Sequence, residues 1–541
     1  MPKQKYPETA KRNEKAANRL DDGGALGPEF SQVYEFGAEA ALFDLAERLG
    51  LREAVKAHAG KPGPGLPIED AVLLAAIYLA VKPASKNSLF EWFDKTVLRE
   101  SINSATEQNL SGQGFWQTLK GLGEVRRRKI EDGVAKKTVS AYGLGPDCLL
   151  FDNENFHAYL DSSGCPALAK DENGPEPMAK LSRLGLFLVV SADHGLPLFH
   201  EIYPESKINP RRLSEAVENL PARLSKLGQG KWNPTVFFEA LNDSDGGFKG
   251  LRKESKSYGV LTCLGHGQGL KLPSFPESGF IDLEGDKFKG VKALRSEIRL
   301  YGKEYTLALT YDPKLYEIQL FGLKDNFLKC SKGLKKIQES LKRRAQNSID
   351  ELKTPNYDLT YQRIRDLLAP EHMKSIFNFK YMYEGGFLTI EFYVSELEFK
   401  NVTENVLGKS FIVTDNDHWP TEKIVSAYQS KLQTERRFAS FKGANYPFFD
   451  SPYGQADIEV HAFITALSLT LRGALEIEFE RLGHKLSAQK ILDLLSQAKQ
   501  VMTVCPKAKS GRVSKSSFSK MNPIAKDYIE RHGLTKYAIK P

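Results

Sequence analysis

Tyr428-Gln-Ser-Lys431-Leu-Gln-Thr-Glu435-Arg-Arg-Phe438-Ala-Ser-Phe441-Lys442 is the stretch on which the reading of this chain turns. At 3.6 residues per turn, Tyr428, Lys431, Glu435 and Lys442 fall at i, i+3, i+7 and i+14 and share one helix face. Phe438 and Phe441, at i+10 and i+13, pack beside that face. A carboxylate flanked by two cations and an aromatic ring offers one metal ligand while gripping phosphates. A merely salt-bridged surface helix has no need of a tyrosine and cations at these offsets.

Working outward, two further acids stand where chemistry would want them. Cys148-Leu-Leu-Phe-Asp152 and Thr235-Val-Phe-Phe-Glu239 read as short apolar strands, each ending in an acid. Two divalent ions about 3.5–4 Å apart need carboxylates on rigid elements, to activate water and stabilise a leaving oxygen. Mg²⁺ in particular favours a few carboxylates plus waters and substrate phosphates. Strand-end acids are also common as solvent-facing caps, so the acids alone do not single out a metal site.

Between these strands, Leu184–Ser191 and Leu198–Tyr203 read as a hairpin around the turn Asp193-His-Gly-Leu-Pro197, and Leu213–Leu227 as a helix broken at Pro221. Upstream, the apolar face Ala41, Leu42, Leu45, Ala46 and Leu49 predicts a helix that Gly50 stops, and Ala71–Val81 predicts a buried helix. Ser88 and Glu91 have the spacing of a capping box. Downstream, strands at Tyr258–Leu264, Glu304–Tyr311 and Phe387–Val394 surround a basic helix running from Phe327 to about Leu352. A further strand at Lys409–Asp415 precedes a largely helical stretch from Thr421 to about Leu482.

The organisation expected is therefore a flexible arm at 1–30, a helical domain at 31–145 and an α/β core in two pieces, 146–250 and 405–480. A strand-rich insertion at 251–404 splits the core, and a helical, basic C-terminal region at 481–541 follows it. With 27% charged, 41% hydrophobic and 10% aromatic residues, the 541-residue chain is ordinary for a globular protein. No apolar run is read as approaching the ~18–20 residues of a membrane span, the clearest being Ala71–Val81, and the N-terminus lacks an apolar signal core, so a cytoplasmic protein with no membrane partner is expected. Five cysteines without C-x-x-C spacing exclude a zinc knuckle and predict reduced thiols. The net charge of +8 is unevenly placed: Arg481–Pro541 carries thirteen Lys/Arg against three Asp/Glu. So basic an end suggests a polyanion partner, nucleic acid first.

The spacing Y-x2-K-x3-E-x6-K resembles the Y-x2-R-x3-E-x6-K signature of bacterial DDE transposases of the insertion-sequence-four superfamily. More narrowly, the chain is similar to the branch with an N-terminal helical domain and a long insertion before the glutamate. Supporting stretches, in order, are Pro83-Ala-Ser-Lys86 with Glu91-Trp92, Asp152 with Asn155-Phe156-His157, Gly195–Pro204, Tyr301-Gly-Lys-Glu304, Asp312–Glu317, Thr414-Asp415 with Trp419, and Glu459-Val-His461. The resemblance implies an RNase H-like core in which Asp152, Glu239 and Glu435 are the catalytic, metal-holding acids, with Mg²⁺ or Mn²⁺ as cofactor. It also implies double-stranded DNA as partner, both element ends and target, and a homodimer in the synaptic complex.

By the same resemblance Tyr428, Lys431 and Lys442 position phosphates, and Trp419 is a candidate for stacking on an unpaired base. Its plainer reading is a core tryptophan, as a packing histidine is the plainer reading of His461. The helical domain would read the DNA end, with Arg126, Arg127 and Arg128 as its densest phosphate-contacting cluster.

Several positions depart from the family pattern. Glu239 stands where an Asp is expected and reaches one methylene further; Asp243 or Asp245 is the substitute if the strand ends later. Asn153-Glu154 replaces threonines, Lys431 replaces an Arg with its bidentate fork, and Asp171–Pro177 is acidic where DNA would lie. The alternative expectation is a transposase-derived DNA-binding protein with a weakened or inactive site.

Overall fold

The computed structural model describes residues 30–540, apart from 61–64, 83–87, 146–147, 161–179, 193, 205–221, 228–234, 240–258, 265–278, 286–287, 301, 348–356, 385–386, 443–454 and 508–510. The fold is mixed α/β. It divides into two compact units, each assembled from distant parts of the chain: residues 1–137, 159–164 and 442–541 in one, 138–158 and 165–441 in the other.

The second unit is built on a nine-stranded sheet. Its strands are β1 (Cys148–Leu160), β2 (Lys180–Ser191), β3 (Pro197–Pro204), β4 (Thr235–Glu239), β5 (Gly259–Leu264), β6 (Ile281–Asp282), β7 (Lys292–Leu300), β8 (Lys303–Tyr311) and β9 (Lys409–Thr414). Their order across the sheet is β3-β2-β1-β4-β5-β9-β8-β7-β6. β1, β4 and β5 run parallel, with Leu150 opposite Phe237 and Phe237 opposite Leu261. Central parallel strands are covered on both faces and so read as unbroken apolar runs. Val236 and Phe237 in β4 are fully buried, as are Ile412 and Val413 in β9.

β9 lies between β5 and β8 and is antiparallel to both. The sequence placed Tyr258–Leu264 in the insertion, but as β5 it is an inner strand of the main sheet. Val260, Leu261, Thr262 and Leu264 are buried, and a buried strand satisfies its backbone N–H and C=O groups between two neighbours. Toward the far edge, β7 alternates between exposed and covered positions, as a strand with one wetted face does.

The stretch between β8 and β9 has its own core. A helix, Pro313–Asn347, starts about four turns before the expected basic segment. It lays Leu323, Cys330, Leu334, Ile337 and Leu341 along one stripe against Ile364, Ile376, Phe377 and Ile390. The ribbon Phe377–Glu384 and Phe387–Val394 is antiparallel, Phe379 facing Phe392 and Tyr381 facing Ile390. Lys329, Lys332, Lys335, Lys336, Lys342 and Arg343 occupy exposed positions of the helix. A Cβ on Gly333 would come within 2.6 Å of Leu367, so this glycine lets the Tyr357–Leu367 helix approach closely.

In the first unit, the predicted helices appear as Gly37–Arg48 and Ile68–Val81. The capping box does not form: Ser88 makes no capping bond, and Glu91 instead pairs with Lys95 at 2.7 Å. The region is not wholly helical, because Phe30–Glu35 is a strand. It pairs antiparallel with Lys499–Lys507, which pairs in turn with Gly511–Phe518. The C-terminal region is therefore a helix, Ala488–Leu495, then the hairpin and the Pro523–Arg531 helix, not the wholly helical tail expected. Neither hairpin strand, Lys499–Lys507 or Gly511–Phe518, carries a clean period-2 alternation, so local patterning does not mark them as strands.

The core helix of this unit is Gln455–Arg481. It is long and apolar enough to cross a membrane by length and composition, but 94% of its most apolar window is buried inside the fold. A helix that is apolar all round belongs in a protein core or a membrane, and here Ile77, Leu42 and Phe463 share the same buried interior.

Acids and bases from three segments meet around Arg48. Its guanidinium donates to both Glu478 oxygens at 2.6 and 2.9 Å and to Asp44 at 2.8 Å. Tyr528 donates its hydroxyl to Glu478 at 2.5 Å, while Lys536 and Tyr537 donate to Asp44 at 2.7 and 2.9 Å. Part of the basic C-terminal charge is thus used inside the fold.

Candidate functional site

The expected catalytic acids all belong to the second unit. Asp152 lies on β1 and Glu239 is the last residue of β4. Leu150 and Phe237 are the last register partners of the parallel pair, and Asp152 and Glu239 each follow two residues further along the chain. Glu435 lies within the helix Thr421–Lys442, which contains the whole signature. The side chains of Asp152, Glu239, Glu435 and Lys442 lie outside the described residues, as do Asp243, Asp245 and the acidic stretch 171–177. Among the described residues, no group of three His, Cys, Asp or Glu is placed to hold a metal ion.

What is described is how the signature helix meets the sheet. The Tyr428 ring centre lies 6.0 Å from that of Phe237, tilted by 32°. The Lys431 ammonium lies 5.2 Å from the same ring centre. Tyr428 and Lys431, three apart, present adjacent positions of one helix face, and both use it on β4. Ile424, Val425 and Ala427 are buried one turn earlier. The Glu435 position follows Lys431 by one turn on that face, and the Glu239 position follows Phe237 by two residues.

Lys431 is only 6% exposed. A desolvated ammonium over a phenyl ring contributes on the order of 2 kcal/mol, more than an exposed pair. The sequence assigned this lysine to phosphate positioning; the structure engages it with Phe237. Trp419 is also buried, at 7% exposure, with the Lys423 ammonium 4.5 Å from its ring centre. Arg295, on β7, donates to the carbonyls of Asp417 and Trp419 at 2.5 and 2.6 Å and fixes the turn that carries the indole. The plainer of the two readings for Trp419, a packed core residue, describes what is seen.

Asp415, next to β9, lies at the other end of the sheet from Glu239. Its Oδ1 accepts from the Val260 N–H at 2.6 Å, and Asn416 donates to the Thr235 hydroxyl at 2.9 Å. A Cβ on Gly259 would come within 2.9 Å of Thr235 Oγ1, so this corner is tight. The Thr414-Asp415 stretch here ties the starts of β4 and β5 to the end of β9.

The arginine cluster in the first unit divides. Arg127 is 5% exposed; it donates to the Leu122 carbonyl at 2.5 Å and pairs with Glu459. It is a buried structural residue and not the surface phosphate contact expected of it. The physical reason is helical: successive residues of the Glu124–Tyr142 helix are about 100° apart, so the three arginines spread over about 200° and do not share one outward face. Arg126 and Arg128 stay on the surface, Arg126 donating to the Ala59 carbonyl at 3.0 Å and Arg128 pairing with Glu124 at 2.9 Å.

His461 is buried beside Trp116, ring centres 6.2 Å apart, and burial pushes its pKa down to about 3, so it packs as a neutral ring. Sequence reasoning did not single out Glu39. This carboxyl is 2% exposed and accepts from the Trp92 indole N–H at 3.3 Å. Its one visible signal was an acid inside the apolar run Phe36–Ala46.

Compared with models of known families the chain finds no match, and compared with curated proteins it likewise finds none.

Proposed function

We propose that this protein is a DNA transposase whose Asp152, Glu239 and Glu435 cut and join DNA at the ends of a mobile element. One observation carries the reading: the signature helix lies on β4 through Tyr428, Lys431 and Phe237, on the parallel pair β1–β4 whose last register partners, Leu150 and Phe237, are each two residues before Asp152 and Glu239. The strand order β3-β2-β1-β4-β5, with parallel β1, β4 and β5, is also the order of an RNase H-like core and supports the same reading.

Three carboxylates on two strands and a helix suit a hard, oxygen-seeking cation, and Mg²⁺ or Mn²⁺ is the cofactor proposed. Bound there, such ions supply Lewis acidity and lower the pKa of water at the scissile phosphate. The chain's own part is positioning. β1 and β4 fix two acids on neighbouring rigid strands, and the packed start of the signature helix fixes the third. Lys442 at the end of that helix and the exposed Arg126 and Arg128 would contact backbone phosphates. Double-stranded DNA is the proposed partner, with two copies of the chain bringing two ends together.

A second reading, a DNA-binding protein descended from such an enzyme without its activity, is favoured by specific residues. Glu239 stands in place of Asp, and the one signature cation with a described side chain, Lys431, is covered by the fold.

Nicking and strand transfer on DNA flanking the gene, with Mg²⁺, separate the two. The enzyme reading expects products that fall by roughly 10³-fold or more in Asp152→Asn or Glu435→Gln. Binding without nicking, together with nicking by Glu239→Asp, would establish the second reading instead.

A further inference from the structure

The helix Pro313–Asn347 in the second unit has two apolar sides. One, with Leu323, Cys330, Leu334, Ile337 and Leu341, faces the core beneath it. On the other, Ile318, Phe321 and Leu328 are 70%, 78% and 55% exposed. At about 100° per residue, Phe321 and Leu328 fall within about 20° of one line, roughly 160° round from the core stripe, with Ile318 about 60° from Phe321. Scattered exposed apolar residues are ordinary. Three on one side of a helix whose opposite side is already buried mark a surface for a partner.

The charges around this patch select the partner. Midway between Phe321 and Leu328 stand Lys324 and Asp325, both exposed, about 50° to either side of the line that joins the two apolar residues. A two-fold axis through that midpoint lays a second, antiparallel helix so that Phe321 of each copy meets Leu328 of the other. The same operation sets Lys324 on Asp325 and, further out, Glu317 on Lys332, both also exposed. Each contact then occurs twice, as an isologous interface requires. Within one chain Asp325 uses Oδ2 on Lys329 at 2.7 Å, and Oδ1 is the acceptor for the second copy. About one turn beyond, Lys314 would face Lys335, so the helix ends must diverge, as they do at the roughly 20° crossing of packed antiparallel helices. An acidic partner, DNA included, would match Lys332, Lys335 and Lys336 but set like charge against Glu317 and Asp325.

We propose that this face pairs two copies of the chain through antiparallel Pro313–Asn347 helices, with Phe321 and Leu328 at the centre and the Lys324–Asp325 and Glu317–Lys332 pairs fixing the register. The pairing does not rest on the transposase reading, because it needs neither DNA nor metal. A contact between two helices is small beside the ~1,200–2,000 Å² of a standard interface, so the dimer is weak, with Kd roughly 1–50 µM.

The test is sedimentation velocity of the full chain, free of DNA, from about 1 to 100 µM, where a monomer–dimer equilibrium is expected. Phe321→Glu should raise Kd by about 30-fold or more and, the side chain being exposed, leave the far-UV spectrum unchanged. Asp325→Lys should raise Kd by about fivefold or more, since the altered pair occurs twice. Adding Lys324→Asp to Asp325→Lys exchanges the charges and should return Kd to within about threefold of the unsubstituted chain. A chain that stays monomeric at about 100 µM, or that dimerises only on DNA, would overturn the proposal. So would a dimer unmoved by Phe321→Glu, or a charge-exchanged chain that dimerises no better than Asp325→Lys alone.

Discussion

Lys431 holds its ammonium 5.2 Å from the centre of the Phe237 ring, so the signature helix and strand β4 are joined at a point one turn and two residues away from the positions of Glu435 and Glu239. The contact makes the signature helix a packing element of the sheet.

Replacing Phe237 with alanine should therefore do more than open a cavity. The ring is fully buried, and its loss is expected to cost about 3–5 kcal/mol in the second unit. It should also free Tyr428 and Lys431, so metal-dependent nicking should fall further than the folded fraction does. Denaturant unfolding and nicking rates, measured on the same preparations, check this.

Arg127 and its neighbours should behave as two classes. Arg127→Ala removes an ion-pair partner of Glu459 and the buried bond to the Leu122 carbonyl, so a loss of about 2–4 kcal/mol in thermal unfolding is expected. Arg126→Ala and Arg128→Ala should leave stability within about 0.5–1 kcal/mol. Each should reduce the salt dependence of DNA binding by about one counterion.

Glu39 gives a pH dependence whose sign follows from burial. Its folded pKa of about 7 lies above the ordinary 4.5, so the folded state binds the proton more tightly. Stability is then greatest below pH 4.5, falls as pH rises toward 7 and is flat above. The difference is about 3 kcal/mol at 1.36 kcal/mol per pK unit. Unfolding free energies of the native chain and Glu39→Gln across pH 4.5–8 should diverge by that slope; parallel curves would contradict it.

The Arg48 cluster has the opposite sign. Despite desolvation, hydrogen bonds and charge from Arg48 hold the Glu478 carboxyl below its usual range, and Lys536 and Arg48 do the same for Asp44. Their contribution is present above the usual carboxyl pKa and lost as pH falls through the lowered values. Arg48→Ala should cost about 3 kcal/mol at pH 7 and move the acid-unfolding midpoint upward, as circular dichroism would report.

Much of the sheet was legible because buried central strands leave a plain mark: the parallel Cys148–Asp152 and Thr235–Glu239 and the antiparallel Lys409–Thr414 are apolar runs too short for helices. The role of Tyr258–Leu264 was not, because a strand's neighbours depend on crossovers that its own residues do not encode. The closing of the first unit was also hidden. Val33 and Val501 are register partners 468 residues apart, and local patterning carries no information on such pairs. For the site, helical spacing found the face bearing Tyr428 and Lys431, but not that Lys431 turns onto Phe237. Arg127 was misread because a run of like charges suggests a surface, while helix geometry sends one of three arginines inward.

The most direct test of the central claim is crystallographic: the protein with Mn²⁺ and a DNA end, and anomalous scattering to place the metal. The account predicts Mn²⁺ held jointly by Asp152, Glu239 and Glu435, with carboxylate oxygens about 2.0–2.2 Å away. DNA in place with no Mn²⁺ between these three carboxylates would contradict it.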